Sequence, residues 1–198
     1  MTKKILITGA NGQLGHEMRN ALKGNNRFEC IFTDVAELDI CNTEAVKQTM
    51  ANNHIDYIVN CAAYTQVDKA EDNAELCKKI NTDAVENLAR AAADYGARMI
   101  HISTDYVFNG RGYRPYTEDM VPDPQSVYGS TKLEGEKILT DICPESIIIR
   151  TAWLYSPYGN NFVKTMLHLG EEREELSVVA DQIGTPTCAA DLAQAILV

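Results

Sequence analysis

A glycine-rich turn near the N-terminus constrains the fold of this chain more than any other feature. The apolar run Ile5-Leu6-Ile7-Thr8 leads directly into Gly9-Ala10-Asn11-Gly12-Gln13-Leu14-Gly15, where glycine recurs at every third position. This spacing predicts a strand that passes through a tight turn into a helix. The N–H groups that begin such a helix attract phosphate, so we predict a diphosphate site here. The spacing differs from the common G-x-G-x-x-G pattern, and a turn without a ligand would also fit it.

Apolar strand-like runs alternate with helical segments along the next 140 residues. We predict strands at residues 4–8, 29–33, 57–61, 98–103 and 146–150, and helices at residues 12–23, 42–53, 83–95 and 127–140. Residues 109–125 contain two glycines and three prolines and predict an irregular loop. The alternation indicates an α/β fold with a doubly wound, Rossmann-like parallel sheet.

The alternation weakens after residue 150. We therefore expect a dinucleotide-binding domain at residues 1–150 and the beginning of a smaller substrate-binding lobe at residues 151–198. The pattern predicts a helix at residues 162–172, a further strand at residues 176–179 and a last helix from residue 191. That last helix has no capping residue before the sequence ends, from which we expect the chain to be incomplete.

Polar residues cluster where predicted strands end, which is where ligands bind in parallel sheets. Asp34 follows the second strand and lies 25 residues after Gly9, near the spacing at which an acidic residue binds an adenosine ribose. This placement favours NAD over NADP, although a capping or surface carboxylate would also fit. Asp39 is the alternative acidic residue at the adenine end.

Tyr128 and Lys132 are spaced so that they share one face of a helix. An ammonium beside a phenol lowers the phenol's pKa from about 10, which would allow Tyr128 to act as a general acid or base. An unrelated surface pair would have the same spacing. Thr104, at the end of a strand, offers a hydroxyl that could bind a substrate oxygen, or could only cap the loop. Trp153 would lie over a sugar or base, or pack in the core.

Composition excludes several classes of protein. The net charge of −10 argues against a nucleic-acid partner. The six cysteines are far apart and contain no C-x-x-C pair, which favours free thiols in a reducing compartment, and the four dispersed histidines predict no metal site. We find no signal peptide or membrane-length apolar run and expect a cytoplasmic protein without a membrane partner.

Four segments of the sequence resemble the extended short-chain dehydrogenases/reductases, and among them the dTDP-4-dehydrorhamnose reductase family. The segments are residues 7–15, Asn60-Cys61-Ala62-Ala63-Tyr64-Thr65, Ser103-Thr104-Asp105-Tyr106-Val107-Phe108 and Tyr128-Gly129-Ser130-Thr131-Lys132. The likeness continues through Thr151-Ala152-Trp153 and Gly184-Thr185-Pro186-Thr187. It extends over nearly the whole chain, but family members continue for roughly another third of this length.

The resemblance implies an NADPH- or NADH-dependent reduction of the C4 ketone of dTDP-6-deoxy-L-lyxo-4-hexulose. Tyr128 would protonate the developing alkoxide, Lys132 would lower the pKa of Tyr128 and hold the nicotinamide ribose, and Thr104 would bind the ketone. Asp105 and Trp153 would contact the sugar. The cofactor would be lined by Gly9, Asn11, Gly12, Gln13, Leu14, Gly15, Asp34, Asp39, Ile40, Ala62, Ala63 and Tyr64. A homodimer is expected, and a Mg²⁺ ion is implied by the resemblance alone, with no ligand residues to assign.

Two other functions fit the same fold. Nucleotide-sugar 4,6-dehydratases carry Asp-Glu after the threonine, whereas this chain has Asp105-Tyr106 and lacks the second carboxylate. Reduction is therefore favoured over elimination, while an epimerase or dehydratase remains an alternative. A non-catalytic NADP-binding regulatory subunit, similar to that of methionine adenosyltransferase, is the other alternative.

Overall fold

Five parallel strands form the central sheet of the protein, as seen in a computed structural model that describes residues 2–198. The strands are β1 (Lys3–Thr8), β2 (Phe28–Phe32), β3 (Tyr57–Asn60), β4 (Arg98–Thr104) and β5 (Ile147–Thr151). They lie in the order β2-β1-β3-β4-β5. A separate parallel pair is formed by β6 (Leu154–Tyr155) and β7 (Thr187–Cys188).

Helices cover both faces of the central sheet, which confirms the predicted doubly wound, Rossmann-like fold. They are α1 (Gln13–Ala21), α2 (Thr43–Asn53), α3 (Val67–Asp72), α4 (Ala74–Lys78), α5 (Ala84–Tyr95), α6 (Val127–Ile142), α7 (Phe162–Glu172) and α8 (Ala189–Ile196). One turn of π-helix (Lys79–Asp83) joins α4 to α5, and one turn of 3-10 helix (Asp105–Val107) follows β4.

The two faces of β1 show how the sequence distributes the core. Successive side chains of a strand point to opposite faces. Leu6 therefore packs with residues of α2 and α5 such as Met50 and Leu88, whereas Ile7 packs on the other face with residues of α1 and α8. An apolar strand with both faces buried is what a parallel sheet between two helical layers requires.

Local signals explain where two of the predicted helices begin and end. Asn42 precedes α2, and its side chain accepts a hydrogen bond from the N–H of Ala45 at 3.1 Å. The alanine-rich helix α5 stops at Gly96, which has a φ of 69°. A side chain is rarely tolerated in this left-handed conformation, so glycine ends the helix there.

The predicted strand at residues 176–179 is wrong. This segment has no regular secondary structure, and Leu176, Val178 and Val179 are 38%, 50% and 67% exposed. Apolar character alone does not make a strand, because a strand needs a partner for its backbone hydrogen bonds. The small second sheet uses β6 and β7 instead, on either side of this segment.

The helices at residues 67–83 were not predicted, although they form one wall of the cleft described below. Helix α7, in contrast, has the predicted bounds. Of all the helices within residues 2–198, none combines the length and the apolar character that crossing a bilayer requires.

Candidate active site at the carboxyl edge of the sheet

A cleft of about 1120 Å³ opens at the carboxyl ends of the central strands. The strand order reverses between β1 and β3, and this reversal is the place where open α/β sheets bind ligands. Segments that follow β1, β2, β3, β4 and β5 all contribute to the lining, together with the first turn of α6. Parallel topology thus gathers residues that are far apart in the sequence.

The glycine turn fits tightly between β1, β3 and α1. Gly9 has a φ of 63°, and a Cβ atom placed on it would lie 2.6 Å from the backbone nitrogen of Ala62. A Cβ atom on Gly15 would lie 2.5 Å from the Cα of Ala10. Neither position accommodates a side chain, so the two glycines allow the turn, the end of β3 and the first turn of α1 to meet.

Helix α1 begins at the cleft without a side-chain cap. Its N-cap residue is Gly12, which provides no side-chain hydrogen bond, whereas Asn42, Ser126 and Asn161 cap α2, α6 and α7. The N–H groups of a first turn carry a partial positive charge and need acceptors. An uncapped first turn that faces a large cleft therefore fits the diphosphate of a dinucleotide.

Asp34 joins the glycine turn to the loop after β2. Its Oδ2 atom accepts a hydrogen bond from the N–H of Asn11 at 3.0 Å, and its Oδ1 atom accepts one from the N–H of Val35 at 2.9 Å. Asp34 also lines the cleft, as does Asp39, whose Oδ1 accepts from the N–H of Cys41. The carboxylate of Asp34 therefore holds the glycine turn in place and also faces the cleft.

Tyr128 lines the opposite part of the cleft at the start of α6. Ser126 caps this helix by accepting a hydrogen bond from the N–H of Gly129 at 3.0 Å, which fixes the position of its first turn. Burial raises the pKa of Tyr128 to about 12, and the nearby Thr104 hydroxyl acts in the opposite direction. The phenol is therefore protonated at neutral pH, the form that a proton donor needs.

Lys132 lies behind the cleft rather than in its lining. Its side chain is 1% exposed, and Nζ donates a hydrogen bond to the carbonyl of Ile102 at 2.7 Å and lies 3.2 Å from His101 Nε2. Burial lowers the pKa of Lys132 to about 8, and Glu136 opposes this shift. The resemblance implies that Lys132 lowers the pKa of Tyr128. In the structure the pKa of Tyr128 is instead raised, because burial of the phenol is the largest effect on it.

The sugar-binding candidates also lie at the cleft. Burial raises the pKa of Asp105, and its carboxylate accepts a hydrogen bond from the Thr104 hydroxyl at 3.2 Å. Trp153 is 38% exposed and has a φ of 48°, a conformation that costs energy in a non-glycine residue. Gly184 packs against its indole ring, where an added Cβ would lie 3.4 Å from two ring atoms.

Most of the predicted site residues line this one cleft, and three do not. Those in the lining are Gly9, Gly12, Gln13, Leu14, Gly15, Asp34, Asp39, Ile40, Ala62, Ala63, Thr104, Asp105, Tyr128 and Trp153. Those outside it are Asn11, Tyr64 and Lys132. The backbone of Tyr64 pairs instead with the buried amide of Asn81, through bonds of 2.9 and 3.1 Å.

The side chain of Gln13 connects the glycine turn to the segment after β6. Its Oε1 accepts hydrogen bonds from Asn161 Nδ2 at 2.9 Å and from Ser156 Oγ at 3.3 Å, and its Nε2 donates to the carbonyl of Leu154. These contacts hold residues 154–161 against the start of α1.

Sequence reasoning missed one wall of the cleft and the polar groups beneath it. Val67, Leu76, Lys79 and Ile80 line the cleft from the helices at residues 67–83, and Thr65 and Gln66 line it from the segment just before α3. Ser103 Oγ is buried at its floor and, among residues 2–198, has no hydrogen-bond partner. The only available signal was His101, a polar residue inside the apolar strand Met99-Ile100-His101-Ile102. Residues 2–198 contain no group of three or more His, Cys, Asp or Glu side chains arranged for a metal ion.

The fold and its cleft define a Rossmann-like α/β protein with a glycine turn at the topological switch point. The sequence matches the family described as "RmlD substrate binding domain" over residues 3–198. The chain belongs to this family.

Individual relatives are similar over nearly the whole chain. The dTDP-4-dehydrorhamnose reductase of Aggregatibacter actinomycetemcomitans is 44% identical over 98% of the chain, and that of Escherichia coli K12 is 48% identical over 96%. A crystal structure of the Bacillus anthracis enzyme in complex with NADP has 45% identity and a TM-score of 0.96 over 100% of this chain and 70% of that one. The chain spans 66% and 64% of the length of the first two relatives.

Proposed function

We propose that this chain carries the cofactor site and the proton donor of a reductase. The reaction is the NADPH- or NADH-dependent reduction of the C4 ketone of dTDP-6-deoxy-L-lyxo-4-hexulose, in dTDP-L-rhamnose synthesis. The observation that carries the proposal is that one cleft holds both the glycine turn with its uncapped helix and the pair Thr104 and Tyr128. The relatives named dTDP-4-dehydrorhamnose reductase support the substrate, and the NADP complex of one of them supports the cofactor.

Bound NADPH or NADH supplies the hydride. Thr104 and Tyr128 present hydroxyl groups at the place where the ketone oxygen would become an alkoxide. Tyr128 gives its proton to that oxygen, because an alkoxide is far more basic than a phenolate even when the phenol pKa is about 12. The two hydroxyls are held by the end of β4 and the first turn of α6, so little reorganisation is needed during the reaction.

The remaining residues position the reactants. The first turn of α1 would hold the diphosphate, and Asp34 or Asp39 would bind the adenosine ribose. Asp105 and Trp153 would contact the sugar, with residues 151–198 contributing to the substrate side of the cleft. We also propose a cytoplasmic location and a homodimer. No residue is assigned to Mg²⁺.

The test is a turnover assay with Tyr128→Phe. In the protein mixed with NADPH and the keto sugar, absorbance of the reduced nicotinamide should fall with time. Tyr128→Phe removes only the phenolic hydroxyl, so kcat should fall by about 100-fold or more while the Kd for NADPH changes little.

Tyr106→Phe is the matched control, since Tyr106 lines the same cleft and packs edge-on against Tyr128 at 5.5 Å. Its turnover should remain within a few-fold of wild type. Unchanged turnover in Tyr128→Phe would remove Tyr128 as the proton donor. Tight NADPH binding without oxidation would favour a regulatory subunit, and conversion of substrate without net NADPH consumption would favour an epimerase or dehydratase.

A further inference from the structure

Gln13 belongs to the glycine turn by its backbone, but its side chain contacts a different wall of the cleft. The residue begins α1 directly after Gly12, and the N–H groups of a first helical turn have no carbonyl partner within the helix. The side chain contacts residues 154–161, the segment that includes β6 and the loop before α7. A Cβ atom on Gly159 would lie 3.2 Å from Gln13 Cγ, so this segment packs closely against the side chain.

Backbone donors determine how the two amides at this contact are oriented. Asn161 Oδ1 accepts a hydrogen bond from the N–H of Lys164 at 3.0 Å, and a backbone N–H can only donate. Asn161 Nδ2 is therefore the atom that faces Gln13, at 2.9 Å, and the Gln13 atom that it meets must be the amide oxygen. The same oxygen accepts from Ser156 Oγ at 3.3 Å, which leaves Nε2 to donate to the Leu154 carbonyl at 3.3 Å. The polar atoms of the Gln13 side chain are thus used by one segment of the chain.

The partners of Gln13 are chain neighbours of two aromatic residues. Leu154 follows Trp153 directly, and Asn161 directly precedes Phe162. The rings of Trp153 and Phe162 pack against each other with their centroids 5.7 Å apart. One hydrogen bond of Gln13 therefore holds the chain beside the indole, and another holds the start of α7 beside the phenyl ring.

The backbone of Trp153 needs such support. Its φ of 48° lies in the left-handed region, which persists in a non-glycine residue only where the surrounding structure enforces it. The carbonyl of Trp153 accepts a hydrogen bond from the N–H of Thr187 at 3.3 Å, and the next carbonyl, that of Leu154, accepts from Gln13. Loss of the Gln13 amide removes the second restraint and allows Trp153 to relax towards an ordinary backbone conformation.

We propose that Gln13 is a positioning residue for the substrate side of the cleft: its side chain holds residues 154–161 and thereby sets the position of the Trp153 indole. Its backbone N–H remains available to a diphosphate. One residue of the glycine turn thus links the place where the cofactor would bind to the place where the sugar would lie. The bearing of this link on substrate binding rests on the proposed function, in which Trp153 contacts the sugar.

Fluorescence of the protein without cofactor or substrate tests the position of the indole directly, because Trp153 is the only tryptophan of the chain. Gln13→Met keeps a long, unbranched side chain and removes its hydrogen bonds. In this variant we expect the emission of Trp153 to shift to longer wavelength and its quenching by acrylamide to increase. Both changes follow because the indole is held less tightly and becomes more exposed to water.

Asn20→Ala is the matched control. Asn20 also reaches this segment from α1, through a 3.0 Å hydrogen bond to the Tyr158 hydroxyl, but Tyr158 is a chain neighbour of neither aromatic residue. The emission of Trp153 in this variant should be that of wild type. Asn161→Ser approaches the same contact from the other side, because serine can still cap α7 but has no amide nitrogen to donate to Gln13. Its emission should change in the same direction as that of Gln13→Met.

Binding and turnover distinguish a positioning residue from a cofactor ligand. In Gln13→Met the Kd for NADPH should stay within about twofold of wild type, because the backbone N–H is unchanged. The KM for the keto sugar should rise by about tenfold, since the wall that carries Trp153 is no longer held in place. A role confined to general stability would not separate KM from Kd in this way.

Wild-type emission of Trp153 in folded Gln13→Met and folded Asn161→Ser would overturn the proposal. An effect on the Kd for NADPH as large as the effect on KM would also overturn it, because the side chain would then serve the cofactor. If Gln13→Met does not fold, Asn161→Ser decides. The fluorescence measurement needs neither cofactor nor substrate, so it can fail while the turnover assay of Tyr128→Phe succeeds, and the reverse.

Discussion

Glu136 and Arg150 form an ion pair directly behind the candidate site. Nε and Nη2 of Arg150 donate to the two carboxylate oxygens of Glu136 at 3.0 and 2.7 Å, and the Glu136 side chain is 4% exposed. Removal of one partner leaves a buried charge without compensation, which costs far more than the loss of a surface pair. The pair thus fixes α6, which carries Tyr128 and Lys132, to β5.

We predict that Arg150→Met lowers the free energy of unfolding by about 3 kcal/mol, because Glu136 is left buried and unpaired. Arg98→Met is the matched control, since Arg98 also pairs with a glutamate, Glu145, but the two side chains are 66% and 76% exposed. Its effect should be below about 1 kcal/mol. Urea unfolding at pH 7 measures both values, and equal losses in the two variants would contradict the structural role of the buried pair.

The sequence predicted which residues lie at the carboxyl ends of the strands better than it predicted the surroundings of the residues that are buried behind the cleft. Gly9, Asp34 and Thr104 could be placed at one edge because parallel strands bring their carboxyl ends together. The environment of Lys132 could not, because the spacing from Tyr128 to Lys132 says nothing about the partners that β3 and β4 supply. His101 and Asn60 become visible only when the register of these strands is known.

The glycine turn is the element on which the proposed cofactor site depends. Gly9 faces the backbone that follows β3, and Gly15 faces the backbone of Gly9 and Ala10. Gly24 has a left-handed φ of 76°, similar to that of Gly9, but no atom lies within 4 Å of an added Cβ. A comparison of Gly9 with Gly24 therefore separates two free-energy costs of adding a side chain: that of a positive φ, and that of a Cβ atom placed too close to other backbone atoms.

We predict that Gly9→Ala destabilises the protein by at least about 2 kcal/mol more than Gly24→Ala. Both variants place a side chain at a positive φ, which costs about 1–2 kcal/mol. Only the Gly9 variant also forces the end of β3 away from the turn. Urea midpoints and NADPH titrations should therefore show a loss of stability and of binding in Gly9→Ala, with binding retained in Gly24→Ala. Equal stabilities in the two variants would be inconsistent with the tight fit at Gly9.

At the element scale, the sequence was most informative where local signals and packing agree. Helix α5 has an alanine-rich sequence and a glycine stop, and α7 has a capping residue, Asn161, at its start. Residues 176–179 have a strand-like apolar composition but no pairing partner, and no local signal reports the absence of a neighbour. The short helices α3 and α4 depend on buried contacts of Ala70 and Cys77 with Tyr128, which are long-range.

At the scale of the whole molecule, buried titratable groups make stability depend on pH. The pKa of Lys132 is lowered to about 8 in the folded protein, below its ordinary value of 10.5. Between these values the unfolded chain binds more protons than the folded one, so stability rises with pH. Below about pH 8 both states are protonated and the full cost of the buried ammonium is present.

We predict that wild-type protein gains stability relative to Lys132→Met as the pH rises from 7.5 to 10, by up to about 1.4 kcal/mol per pH unit. The comparison cancels the partly buried thiols of Cys30, Cys41 and Cys143, whose raised pKa values have the opposite effect at alkaline pH. Urea unfolding of both proteins at several pH values gives the difference. A difference that does not vary with pH would mean that Lys132 keeps an ordinary pKa in the folded state.

The whole-molecule fold was predictable because the alternation of strands and helices and the glycine turn constrain the same architecture. The order β2-β1-β3-β4-β5 then places the cleft at the reversal between β1 and β3. We propose that this cleft holds a dinucleotide with its diphosphate at the start of α1 and its nicotinamide beside Tyr128.

A crystal structure of the protein with NADPH would locate the cofactor. We expect diphosphate oxygens within hydrogen-bond distance of the N–H groups in the first turn of α1, and the nicotinamide ring between Thr104 and Tyr128. A cofactor bound elsewhere, or bound in this cleft with its nicotinamide remote from the Tyr128 hydroxyl, would contradict it.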